Sequence, residues 1–171
     1  MENFTNETID TKNLPKMETV VFSKLHPSYW KVVLITLIFT FLILAIVLII
    51  GYFNIDDWSN FEPEIYIIYP SALLVTVFFS RINFIKKAFA FRNHDVLFRN
   101  GIIATNTIVI PYNRVQHVAL HEGLVSRYFG LATVQIYTAG GSSSDIEIPG
   151  IKKEEAENIK QLLMLKIQKE L

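Results

Sequence analysis

The side chains with the richest chemistry stand together at His117, His121 and Glu122, in the stretch HVALHE. Two histidines four residues apart bind zinc when a helix brings both to one face. This stretch reads as a strand, where such residues share a face but lie about 13 Å apart. One ion cannot span them without a bulge, and the HExxH pattern is absent. A solvated strand face is the preferred reading. Gly140-Gly141 followed by Ser142, Ser143 and Ser144 has the small residues of a phosphate cradle. A phosphate loop needs GxxxxGK(S/T) between strand and helix, which this chain lacks, so the segment reads as a flexible connection. There is no Gly-x-Ser-x-Gly elbow and no conspicuous carboxylate pair. With no cysteine, thiolate metal sites, cysteine nucleophiles and disulfides are excluded. Nothing argues for catalysis, and no cofactor or metal is expected. Bound metal at His117 and His121 would reopen an enzymatic reading.

A second group is basic. Arg81, Lys86 and Lys87 form a short juxtamembrane basic group, and Arg92, His94 and Arg99 flank a predicted turn. Near an anionic leaflet each such charge contributes about 1 kcal/mol of attraction. Surface adhesion explains them without a pocket. Specific headgroup recognition would add Arg92 and Arg99 to Arg81, Lys86 and Lys87.

The elements that position these residues are strongly apolar. The 171 residues are 51% apolar and only 19% charged, with 16 cations against 16 anions. A soluble domain carries about 25% charged residues. Zero net charge argues against a nucleic-acid partner. Val32 to Ile55 is a run of 24 residues without a charge. About 20 residues cross a bilayer core, so residues 32–53 are predicted to span the membrane. A buried core helix fails as an alternative because the rest of the chain is too small to surround it. Ile65 to Ser80 is a second apolar run, of 16 residues. Arg81 can snorkel while Ile82, Phe84 and Ile85 complete a span over 65–85. A re-entrant segment is the alternative, since the run is short. Pro63 suits a first turn, and Pro70 should kink the helix or loosen one turn. A cleaved signal peptide is not expected, because about thirty mostly polar residues precede an apolar run too long for one.

Residues 54–64 between the spans contain Asp56, Asp57, Glu62 and Glu64 and no cation. The outer flanks carry Lys24, Lys31, Arg81, Lys86 and Lys87. Cytoplasmic flanks collect Lys and Arg, so both termini are expected in the cytoplasm of a multi-pass cell-membrane protein. No charge lies inside either span, which weakens a transporter reading. Residues 1–31 form an N-terminal tail; its part from Val20 to Lys31 is expected to lie along the membrane or to pack on the other polar segment.

Residues 86–171 form the water-soluble body. Strands are predicted at Lys87–Arg92, Val96–Arg99, Ile102–Ile103, Thr107–Tyr112, Val115–Leu120, Thr133–Thr138 and Asp145–Ile148, with turns between them. From Lys152 the period changes. Ala156, Ile159, Leu163 and Ile167, widened by Leu162, make the apolar stripe of a terminal helix. Glu154 and Glu155 near its start and Lys166 and Lys169 near its end suit the helix dipole. A stripe this short favours a core helix that plugs a β-barrel over a coiled coil.

The order of residues from Phe98 to Gly140 is more specific. It runs through Gly101, Ile110-Pro111, Arg114-Val115-Gln116, Arg127-Tyr128-Phe129-Gly130-Leu131-Ala132 and Thr138-Ala139-Gly140. This series resembles the bacterial pleckstrin-homology-like (PH-like) membrane family typified by YdbS and YdbT, as do the two spans ahead of it. The paired histidines depart from the pattern. The resemblance implies a two-helix transmembrane hairpin followed by a PH-like barrel of about seven strands in two orthogonal sheets, closed by a C-terminal α-helix. It also implies a non-catalytic module, with bacterial PH-like domains linked to self-assembly and envelope stress. Its motif residues read as structural. Gly101 and Gly130 would allow sharp turns, Pro111 would end or edge a strand, and Arg114 and Gln116 would satisfy loop carbonyls. A binding role for Arg114, Gln116 and Arg127 is the weaker alternative. The expected function is a protein-interaction or self-assembly module at the inner membrane face, its partner another protein or itself. The alternative is a sensor of anionic lipid headgroups.

Overall fold

The computed structural model describes residues 19–55, 62–139 and 146–170, together with residues 8 and 58. Two long helices lead. α1, Tyr29–Asn54, has 26 residues and α2, Glu62–Lys86, has 25. At 1.5 Å per residue both exceed the bilayer core. None of the most apolar stretch of either helix is buried inside the protein, so neither is the core helix of a soluble fold. Both helices run a few residues past the expected 32–53 and 65–85, because interfacial residues at their ends keep the helical hydrogen bonding. α2 continues through Pro70. Polar side chains in the spans are satisfied locally, as lipid requires. Thr36, Thr40 and Ser71 donate to the carbonyls of Val32, Thr36 and Ile67 at 2.9, 2.9 and 2.7 Å. Tyr69, beside Pro70, donates to the Phe41 carbonyl at 2.8 Å and ties the helices together.

The domain is two antiparallel sheets and a helix. β1 (Ser23–Lys24), β2 (Ala88–Phe91), β3 (Asp95–Asn100) and β4 (Asn106–Pro111) form one sheet in that order. A 3-10 turn at Tyr112–Arg114 leads to the second sheet. That sheet is β5 (Val115–His121), β6 (Leu131–Thr138) and β7 (Ile146–Lys152), with the short α3 (Leu124–Tyr128) between β5 and β6. α4, Lys153–Glu170, packs on β5, β6 and β7. Alternation places Val134 and Ile136 of β6 in the core, facing Ile146 and Ile148 of β7. Ala156 and Leu163 are fully buried, with Ile159 and Ile167 packed beside them. The expected stripe is therefore the core face of α4, but Leu162 is 41% exposed and lies outside it.

Seven strands are present among the described residues, yet not the seven expected. Ile102-Ile103 is a turn rather than a strand. Gly101 has φ 118°, which reverses the chain before β-branched propensity can act. The missing strand comes from the N-terminal side of the membrane helices. Ser23 and Lys24 pair with Phe89 and Ala88, and Leu25 enters the core at 4% exposure. The His26 N–H donates to the Gly150 carbonyl at 2.8 Å. Of the two expectations for residues 20–31, packing on the domain is the one realised. Residues 86–171 alone lack this strand and Leu25. β7 also runs past its expected end at Ile148 through Pro149 and Gly150. It tolerates Pro149 because it is an edge strand.

Tyr112 pins the corner between the sheets. It is 1% exposed and donates its hydroxyl to the Arg92 carbonyl at 2.7 Å. Burial, helped by the nearby Asp95 carboxylate, pushes its pKa from 10.0 to about 12. The folded state therefore holds the phenol proton more tightly than the unfolded chain. That stability is complete below pH 10 and is lost as pH rises through about 12. Two pKa units correspond to about 3 kcal/mol. Denaturant titrations in mild detergent at pH 8 to 12 should show this alkaline loss, and Tyr112→Phe should flatten it while costing about 1 kcal/mol at pH 8. An unchanged alkaline slope in the variant would assign the effect elsewhere.

Candidate functional site

The two ends of the helical hairpin that enter the domain shape a groove. Ser28 precedes α1 without a side-chain capping bond, and the Tyr29 and Trp30 N–H groups donate to the His26 and Pro27 carbonyls at 2.9 and 3.1 Å. This turn sets the Trp30 ring against α2. The Arg81 guanidinium lies 4.9 Å from the Trp30 ring centre and 5.4 Å from that of Phe84. Such stacking holds a cation over apolar surface. The turn closes because Gly150, φ 66°, has no side chain; a Cβ there would sit 2.5 Å from the Tyr29 ring.

The resulting groove has a volume of about 730 Å³. Its walls come from the N-terminal segment (Lys24, His26, Trp30), the end of α2 (Arg81, Phe84, Ile85), β7 and Glu155 of α4. Two cations face one carboxylate. His26 Nδ1 accepts the Ser28 N–H at 3.2 Å, which fixes its ring against the start of α1. Charged side chains beside the apolar Trp30, Phe84 and Ile85 give the groove a mixed lining, which suits an amphiphile.

Of Arg81, Lys86, Lys87, Arg92 and Arg99, the cations expected at the lipid surface, Arg81 alone lines this groove. Lys86 donates to the Ile102 carbonyl at 2.5 Å. Lys87 lies in a small cleft between the helix ends with Tyr29, Val33 and Asn83. Burial lowers its pKa, partly offset by Glu147. The charged Lys87 ammonium therefore costs stability at neutral pH, and that cost is relieved as pH rises toward 10.5. Arg92 forms a bidentate pair with Asp95, Nε to Oδ1 at 2.6 Å. Arg99 stacks 4.0 Å from the centre of the Phe22 ring, and its buried Nε has no hydrogen-bond partner among the described residues. The sequence reading missed Lys24, His26, Trp30 and Glu155 as a set. Their signal was weak, a Trp-Lys pair at a helix start, because the groove joins segments more than fifty residues apart.

The motif residues lie elsewhere. Gly101 and Gly130 have φ 118° and 64° at the turns before β4 and β6. Pro111 closes β4. Arg114 is in the 3-10 turn and Gln116 at the bulge that opens β5. Their side chains are exposed and make no hydrogen bond among the described residues. It is the backbone carbonyl of Arg114 that receives a bond, from the Ala139 N–H at 3.3 Å. Arg127 is exposed on α3. His117 and His121 are both on β5, with His117 stacked on Tyr137 at 4.1 Å. No group of three or more metal-ligating side chains exists among the described residues. The Gly140–Ser144 segment lies outside the described residues.

Comparison with known proteins fits this architecture. The family model described as Bacterial PH domain matches residues 31–166, which takes in both helices and almost all of the two-sheet body. The chain is 25% identical to the transmembrane protein YdbS of Bacillus subtilis over 130 residues, 75% of this chain and 78% of that protein. It is 35% identical to the transmembrane protein YdbT of the same organism over 83 residues, 47% of this chain but only 17% of YdbT. No solved structure matches. Two helices of spanning length, two antiparallel sheets followed by a terminal helix, and a family match over residues 31–166 make this chain a member of the bacterial PH domain family.

Proposed function

We propose that this protein is a non-catalytic PH-like module tethered to the inner face of the cell membrane, and that its groove takes the headgroup of an anionic phospholipid. The observation that carries the proposal is Arg81, stacked on Trp30 and Phe84 in a groove at the foot of the spans. A phosphate seated there meets Arg81 and Lys24, while the acyl chains lie against Phe84 and Ile85. In this reading the two sheets form the orthogonal halves of a PH barrel. Both termini are cytoplasmic, since the cations gather at the domain end and the carboxylates of residues 54–64 at the other.

Trp30 reports on the groove directly. With Trp58→Phe removing the second tryptophan, the full chain in proteoliposomes should be quenched about tenfold more effectively by brominated phosphatidylglycerol than by brominated phosphatidylcholine. Arg81→Gln with Lys24→Gln should erase that preference. Equal quenching by the two lipids in the parent protein would sink the proposal. The whole chain is required, because β1 and Leu25 belong to the domain.

A second reading, protein docking, is favoured by β4. This strand, NTIVIP, has no charge, and no strand lies beyond it among the described residues. An open edge without charge suits strand addition by a peptide or a second copy. A photo-crosslinker at Thr107 should then capture a partner strand, and Val109→Lys should abolish capture while leaving lipid preference intact. Capture that is indifferent to Val109→Lys would discard the edge.

A further inference from the structure

Exposed apolar side chains that gather at one end of a domain mark a surface that something covers. Ile103 is 92% exposed, Leu124 81% and Tyr128 85%. They belong to separate elements, Ile103 to the β3–β4 turn and the other two to α3. Both elements lie where the membrane helices join the domain. The β3–β4 turn follows Arg99, which pairs with Ala88, two residues after the end of α2. Lys86, the last residue of α2, donates to the carbonyl of Ile102. α3 packs against α1. The strand after it begins at Leu131, opposite Lys152 and close to Gly150, which touches Tyr29 at the start of α1. Cations are interleaved with these apolar tips. Lys86 adjoins the turn, and Arg127 stands between Leu124 and Tyr128 on α3.

Apolar tips among cations, at the level where two spans leave the protein, match the boundary between headgroups and acyl chains. Tyrosine has the same preference. The continuity of this surface with the spans commits it to the bilayer rather than to a free protein. We propose that the β3–β4 turn and α3 are two feet that insert Ile103, Leu124 and Tyr128 into the leaflet from which the helices emerge. The feet stop the domain from pivoting at Lys87 and hold one face flat on the membrane. This goes beyond headgroup binding in the groove. Insertion depends on apolar contact and needs no anionic lipid.

The chain has no cysteine, so single-cysteine variants of the full protein can carry a fluorophore at chosen points. Ile103→Cys and Tyr128→Cys place it on the feet. Leu165→Cys is the control, an exposed apolar residue next to Lys166, which reaches the Asn93 carbonyl in the β2–β3 turn at the opposite end of the domain. In proteoliposomes made only of phosphatidylcholine with shallow doxyl-labelled lipid, the labels at 103 and 128 should be quenched at least about twofold more than the label at 165. Quenching no greater than at 165 overturns the proposal. So does cross-linking between copies at 103 without quenching, which would assign the surface to a second copy. Loss of lipid preference at Trp30 with strong quenching at 103 and 128 would remove the groove reading and leave the feet standing.

Discussion

Replacing Gly101 with alanine is expected to cost the domain about 2–6 kcal/mol, much of its stability. At φ 118° a side chain is strained before any contact is considered, which costs about 1–3 kcal/mol. The new Cβ would also overlap the carbonyl oxygen of Ala104. That oxygen is backbone, fixed between Gly101 and the Asn100–Asn106 pair that starts the ladder to β4. It cannot swing aside as a side chain would, so overpacking adds about 1–3 kcal/mol. Gly130→Ala is the comparison. Its φ is 64°, but nothing lies within 4 Å of the added Cβ, so only the conformational cost of about 1 kcal/mol remains. Urea midpoints of both variants in mild detergent separate the two contributions. A Gly101→Ala midpoint no lower than that of Gly130→Ala would mean that the turn relaxes freely.

Leu163→Ala should be nearly as damaging, at about 2–5 kcal/mol. Leu163 is fully buried at the middle of α4, in one cluster with Ala156, Val134, Ile136 and Ile148. α4 packs there on the three strands of the second sheet, so neighbours from several elements would have to shift to fill the void. Leu165, two residues on, is 60% exposed, and Leu165→Ala should change stability by less than about 0.5 kcal/mol. The denaturation midpoint should fall for the first variant with an unchanged slope, and stay for the second. Similar losses for both would mean that α4 packs through its other face.

Much of the architecture was legible because its signals are local. A charge-free run of spanning length, an acidic loop and basic flanks describe a hairpin without any knowledge of packing. Alternation in TVQIYT and the three-to-four spacing of Ala156, Ile159, Leu163 and Ile167 describe faces that the structure buries. Ile102-Ile103 misled because β-branched residues favour strands, whereas Gly101 reverses the chain there. α3 was unreadable. Five residues, LVSRY, are too few for a period, and their helix depends on contact with α1. The groove was missed for a related reason. Lys24, Arg81 and Glu155 are far apart in the chain, and each looks like an ordinary surface charge until the fold assembles them.

The amino-acid order by itself determined that two helices are too apolar for water, that a β-rich body ending in a helix follows them, and that the body carries the bacterial PH pattern. These depend on hydrophobic period and length, which act over a few neighbouring residues. Only the tertiary structure decided that a strand from before the spans completes the first sheet, which cations are already engaged, and which apolar tips gather at the foot of the helices. Those depend on pairing between distant segments, where the energy of a contact is set by what arrives from elsewhere in the chain.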